Sequence, residues 1–141
     1  MISYAFDIFQ FHLIFTSLMV GVIWVIQLVH YPSFHYVKKD NYPLFQRFHM
    51  QRISIIVMPL MIIELLSGSY LVYDRLYLNI YFLSSILILL VIWLLTAVIF
   101  SGLHQRLEQG YDESLVNKMI LYNWIRTSLW TLRLLLINIT F

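Results

Sequence analysis

Predominantly apolar stretches of bilayer-spanning length occur four times along the chain, from about Ala5 to Val29, Ile53 to Val72, Asn79 to Gly102 and Lys118 to Ile139. Each run is close to the roughly 20 residues a helix needs to traverse the hydrocarbon core. A barrel strand needs only about ten residues in strict alternation, and these runs are longer and do not alternate. The pattern predicts an all-α protein, an integral membrane antiparallel four-helix bundle, with a single domain over residues 1–141. Asn41, followed by Tyr42 and Pro43, predicts an N-cap with proline in the first turn. The second helix then starts well before its apolar run and carries His49 on that extension. Pro59 predicts a kink, and Gly21 and Gly68 predict close helix contacts.

The polar positions inside these runs are not scattered. At about 100° per residue, His12, Thr16, Gln27 and His30 fall on one stripe of the first helix, and Asn123, Arg126, Thr127 and Arg133 on one stripe of the fourth. Polar stripes in a membrane face the bundle interior, because facing lipid costs several kcal/mol. Short turns between antiparallel helices set His30, His49 and His104 at one depth, with Asn123 joining them. Glu64 points into the same interior sector as His49.

Composition agrees with a membrane protein: 61% of residues are hydrophobic, 11% are charged, and mean hydropathy is +0.80. The beginning, with Asp7 and no basic region, reads as a retained span rather than a cleaved signal. Lys38, Lys39, Arg47 and Arg52 outweigh Asp40 in the first connection. The positive-inside rule places that connection, and the histidine layer, in the cytoplasm with the termini outside. The expected location is a bacterial inner membrane. A net charge of +2 confined to the flanks predicts no nucleic-acid partner. There is no cysteine, so disulfides, thiolate metal sites and iron–sulfur clusters are excluded. Tyrosines at the run ends, among them Tyr31, Tyr36 and Tyr73, read as interface anchors, and the intramembrane tryptophans as packing residues or walls for a flat ligand.

Three groups carry candidate chemistry. His30, His49 and His104, with His35 as a further member, are candidate metal ligands, since metal sites in helical bundles form from inward side chains on facing helices. Glu64 and Arg133, within about one turn of each other in depth, are either an ion pair that orders the helices or an acid–base pair in a low-dielectric cavity. Arg126, one turn nearer the cytoplasm, has no protein counter-charge in view, and an anionic substrate group or porphyrin propionate would supply one. His12 lies on the order of 27 Å from His30 at 1.5 Å per residue and cannot share its site. Ser69, Tyr70, Ser84 and Ser85 are its candidate partners.

The segments FHLIFTSLMVGVIWVIQLVHYPSFHY and MQRISIIVMPLMIIELLSGSYL resemble the first half of the small four-span haem-associated membrane proteins typified by the HemJ-type protoporphyrinogen IX oxidase. Met50, Arg52, Pro59, Met61 and Gly68 match that family's spacing. The family's histidine–lysine pair near the start of the third helix has no counterpart in NIYFLSSILILL. The resemblance implies His12 as a haem ligand and Arg52 as part of a cofactor site, and Asn123, at the depth of the histidines, is a further candidate cofactor-binding residue. The segments HQRLEQG and NWIRTSLWTLR are similar to those of four-span anthrone-oxygenase-like proteins.

Together these readings predict a membrane-embedded oxidoreductase that uses histidine-ligated iron, as haem or as a bare transition-metal ion, on a hydrophobic substrate entering from the lipid bilayer. Glu64, Arg126 and Arg133 are its expected catalytic groups. The alternative is a metal-ion or small-solute transport protein, which at this size requires a homo-oligomer.

Overall fold

The computed structural model describes residues 2–75 and 78–140, with side chains from residue 8 onward. Helix α1 (Ile2–Val25) continues through a π-helical turn, Ile26–His30, and a single α-turn, Tyr31–Ser33. Helix α2 spans Tyr42–Tyr73, and α3 (Ile80–Leu95) passes through a second π-helical turn, Thr96–Phe100, into α4 (Ser101–Leu107). Helix α5 spans Glu113–Thr140. No strand occurs among the described residues.

Three of these helical segments, Ile8–Tyr36, Lys39–Tyr73 and Ile80–Leu107, are long and apolar enough to cross a membrane. Helix α5 is less apolar because it carries Lys118, Arg126 and Arg133, and the two arginines are buried inside the protein. The usual distribution is inverted: Leu18, Leu66, Leu87 and Leu94 are exposed on outer faces, while His12, Glu64, Asn123 and Arg133 are buried.

Local signals explain the helix ends. The Asn79 side chain accepts the Phe82 N–H at 2.9 Å, and Asp112 accepts the Leu115 N–H at 3.0 Å, so each satisfies an amide that the first turn of its helix leaves open. The N-cap expected at Asn41 is not formed. Asn41 closes the 3₁₀ turn Lys39–Asn41 and its side chain makes no capping bond, although Pro43 does sit in the first turn. Pro59 lies within α2 without ending it.

The first π turn runs directly up to Pro32, which has no N–H to give to the carbonyl four residues back. The turn widens by one residue, and the Tyr31 N–H reaches the Ile26 carbonyl instead. At the start of the second, the Thr96 hydroxyl donates to the Ile92 carbonyl at 2.8 Å, an acceptor it shares with the Thr96 backbone N–H.

Helix α5 packs against both α3 and α1, and α1 packs along α2, whereas α2 and α3 touch only sparsely. A Cβ added at Gly68 would stand 2.7 Å from Ile86 Cδ1 and 3.0 Å from His12 Cε1, so the predicted close contact is real there. At Gly21 it is not: an added Cβ would meet nothing within 4 Å. That glycine faces outward.

Candidate functional site

Two polar layers lie at different heights in the interior. The deeper one is a network centred on Arg133, whose buried Nε alone has no hydrogen-bond partner among the atoms of that guanidinium. Arg133 Nη1 donates to Glu64 Oε1 in an ion pair whose two side chains are fully buried. Trp130 Nε1 donates to the other carboxylate oxygen at 3.2 Å, and Arg133 also reaches the Thr16 hydroxyl at 3.1 Å and His12 Nε2 at 2.8 Å.

The partners fix the His12 tautomer. The Ser67 hydroxyl gives its proton to the Ile63 carbonyl at 2.6 Å, so at 2.7 Å it must accept from His12 Nδ1–H. Nε2 is then the lone pair that takes the Arg133 guanidinium. Ser67 is the partner of His12, in place of the expected Ser69, Tyr70, Ser84 and Ser85. Ser69 and Tyr70 are exposed, and Ser85 donates to the Phe82 carbonyl. The four-residue set His12, Thr16, Glu64 and Arg133 ties α1, α2 and α5 together. Both carboxylate oxygens and both His12 nitrogens are engaged, and the set clasps the three helices together.

The shallower layer gathers the histidines. His30 Nε2 lies 2.6 Å from His49 Nδ1, with ring centroids 4.6 Å apart, and the His49 and His104 centroids are 5.5 Å apart. Gln46 Nε2 donates to His104 Nδ1 at 2.8 Å, which leaves the proton of a neutral ring on Nε2, facing the Tyr31 hydroxyl at 3.5 Å. His49 Nε2 is buried with no partner. Phe34 packs edge-on against both His30 and His49.

His35 does not join this cluster. Its Nδ1 pairs with the Tyr111 hydroxyl at 2.9 Å in the connection to α5. Tyr31, expected at the interface, is buried among the histidines.

Arg126 sits beside the cluster, 4% exposed. Its guanidinium lies 4.2 Å from the Phe100 ring centroid and 5.2 Å from that of Trp130. Nη1 reaches Asn123 Oδ1 at 3.4 Å, Nε has no hydrogen-bond partner, and no carboxylate pairs with it among the described residues. Asn123 in turn donates to Gln27 at 2.8 Å. Arg126, His104 and Tyr31 line a cavity of about 160 Å³ in the sparse seam between α2 and α3, walled by Met50, Met58 and Phe100. Both π turns contribute to it, through Ile26 on one side and Thr96 and Phe100 on the other. Such bulges are frequent at functional sites because they re-aim side chains without ending a helix.

These residues do not fit the expected iron. A haem ligand needs the His12 lone pair that Arg133 occupies. The cavity at Arg126 is smaller than the about 300–1,000 Å³ of cofactor pockets. For a bare ion, His30 and His49 share a proton, His104 is committed on Nδ1, and the neighbouring fixed charge is a cation with no carboxylate to offset it. Among the described residues no group of three His, Asp or Glu is arranged to hold a metal. Arg52, implied by the HemJ-type resemblance, is exposed on the outer side of α2, its guanidinium 5.5 Å from the Phe48 ring.

Sequence reasoning found Arg126, the three histidines and the Glu64–Arg133 pair. It missed Tyr31, Gln46 and Phe100. The i, i+3 step from Gln46 to His49 on one helix face was the available signal for Gln46. Compared with protein-family models, with curated proteins and with solved structures, the chain matches none.

Proposed function

We propose that the chain is an integral membrane protein, an antiparallel four-helix bundle, that binds the acidic head of a lipid-soluble molecule at Arg126 and exchanges a proton with it through His104 and Tyr31. The observation that carries this reading is the buried guanidinium of Arg126, which has no carboxylate partner and borders a cavity with apolar walls. A buried charge is tolerated when something pairs with it. A carboxylate or phenolate of a hydrophobic ligand supplies that partner, and the sparse seam between α2 and α3 supplies an entrance from the lipid.

Proton exchange follows from the neighbours. With its Nδ1 held by Gln46, His104 presents Nε2 to the cavity side beside the Tyr31 hydroxyl, so a bound acid meets a donor and an acceptor within one layer. The clasp of Glu64 and Arg133 holds α2 and α5 in register and touches no ligand. An iron-dependent oxidoreductase would use the same substrate pocket but needs a metal, and His30 Nε2, His49 Nδ1 and His104 Nδ1 are hydrogen-bonded within the protein as arranged.

The test is binding of a fluorescent long-chain carboxylic acid to the purified protein in nonionic detergent, beside its methyl ester. The acid is expected to bind at least tenfold more tightly than the ester, and Arg126→Leu is expected to abolish the difference. Equal binding of acid and ester overturns the proposal. A Soret band or stoichiometric iron in the purified protein would replace it with the metal-dependent reading.

A further inference from the structure

A second feature lies on the outside, where α1 and α2 meet. An apolar groove of about 840 Å³ follows α1 from Leu13 to Val29, with Ile53 and Ile56 of α2 as its other wall, and ends at His30. A cavity of about 140 Å³ continues from that end: it shares His30, Ile53 and Ile56 and adds His49 and Arg52. An apolar track thus terminates in two imidazoles and a guanidinium. Its length, about 24 Å at 1.5 Å per residue, exceeds the roughly 15 Å of one leaflet's share of the hydrocarbon core.

Two observations show that packing within the chain does not account for this surface. Gly68 is explained by its neighbours, whereas Gly21, on the groove floor, has none within 4 Å, and glycine inside a helix is unfavourable relative to alanine. Its smallness keeps the groove open. Arg52 has no carboxylate partner among the described residues, and the buried His49 Nε2 beneath it has no partner either. Lys38, Lys39 and Arg47 lie in and beside the adjoining connection and outnumber its one carboxylate, Asp40, so the head of this track is net basic.

We propose that this track is a specific site for an anionic phospholipid, with one acyl chain lying over Gly21 and the phosphate held at Arg52 beside His30 and His49. The inference rests on the reading that these helices cross a membrane, and not on ligand binding at Arg126. Charge complementarity selects the head group; the groove selects a chain.

The test titrates phosphatidylglycerol, phosphatidylcholine or inorganic phosphate into the delipidated full-length protein in nonionic detergent, and reads bound lipid by native mass spectrometry and the thermal midpoint. Phosphatidylglycerol is expected to bind at least fivefold more tightly than phosphatidylcholine, and phosphate to have no effect. Arg52→Gln should bring the two lipids level, and Gly21→Leu should weaken both. Ser17→Leu, also on the exposed groove wall, replaces Gly21→Leu if that variant fails to fold. Equal binding of the two lipids by the unaltered protein, or unchanged selectivity in Arg52→Gln, overturns the proposal. So does a dimer that Gly21→Leu converts to a monomer without changing lipid binding, since the groove would then belong to a second copy. Arg126→Leu should leave phospholipid binding intact, which separates failure here from failure at the internal pocket.

Discussion

Arg133 and Glu64, on α5 and α2, form an ion pair with no solvent exposure on either side chain, and Trp130 and Thr16 satisfy further polar atoms of the pair. The two partners are not equivalent. A carboxyl group left alone can take up a proton and become neutral, whereas a guanidinium cannot shed its charge. Glu64→Met is therefore expected to cost about 3–5 kcal/mol, the usual loss when a buried pair loses one member. Arg133→Met should cost less, and the double variant should recover most of the loss. Denaturant titration of the four proteins in detergent measures this, and additive losses in the double variant would contradict a coupled pair.

Arg126 presents the opposite balance. A buried cation without a carboxylate partner weakens the ligand-free protein. Arg126→Leu is expected to raise the thermal midpoint of the ligand-free protein while removing its preference for acids over esters. A lowered midpoint would mean that the guanidinium has a structural partner instead.

Gly68 and Gly21 should respond in opposite directions to the same change. Gly68→Ala puts a methyl 3.0 Å from a His12 ring held by Ser67 and Arg133, and 2.7 Å from a movable Ile86 methyl. The ring cannot yield, so the variant is expected to lose about 1–3 kcal/mol. Gly21→Ala meets nothing and should be neutral or stabilising by up to about 1 kcal/mol. Unfolding midpoints of the two variants decide the matter.

Outside the apolar segments, Tyr111 couples the connection after α4 to His35 and to Lys39, whose Nζ lies 5.3 Å from its ring centroid. Its phenol is pushed above the usual tyrosine range, first by desolvation and then by the carboxylates of Glu113 and Asp112. The folded protein thus holds this proton more tightly than the unfolded chain. The associated stability is present below pH about 10 and is lost as pH rises through the folded value. Tyr111→Phe should remove that part of the alkaline decline, as tracked by midpoints between pH 9 and 11. An unchanged alkaline profile would show that Tyr111 does not contribute.

How far the sequence reaches depends on which forces set each feature. Run length and the facing of polar stripes determined the helical class, the approximate extents of four helices and the inward direction of His12, Gln27, Arg126 and Arg133. Helix periodicity and the cost of exposing polar groups to lipid decide these features, and both can be read one helix at a time. The meeting of Glu64 with Arg133, and of His30 with His49 and His104, was legible as a matter of depth. Which atoms bond was not. Ser67 rather than Ser69 holds His12, His35 turns to Tyr111, and Tyr31 enters the histidine layer. Each π turn rotates the residues C-terminal to it, and only the packed helices decide which rotation survives. The hydrogen bonds that join His30 to His49 and hold His104 between Gln46 and Tyr31, beside an arginine with no carboxylate partner among the described residues, arise from contacts between residues distant in sequence. No single helix contains them.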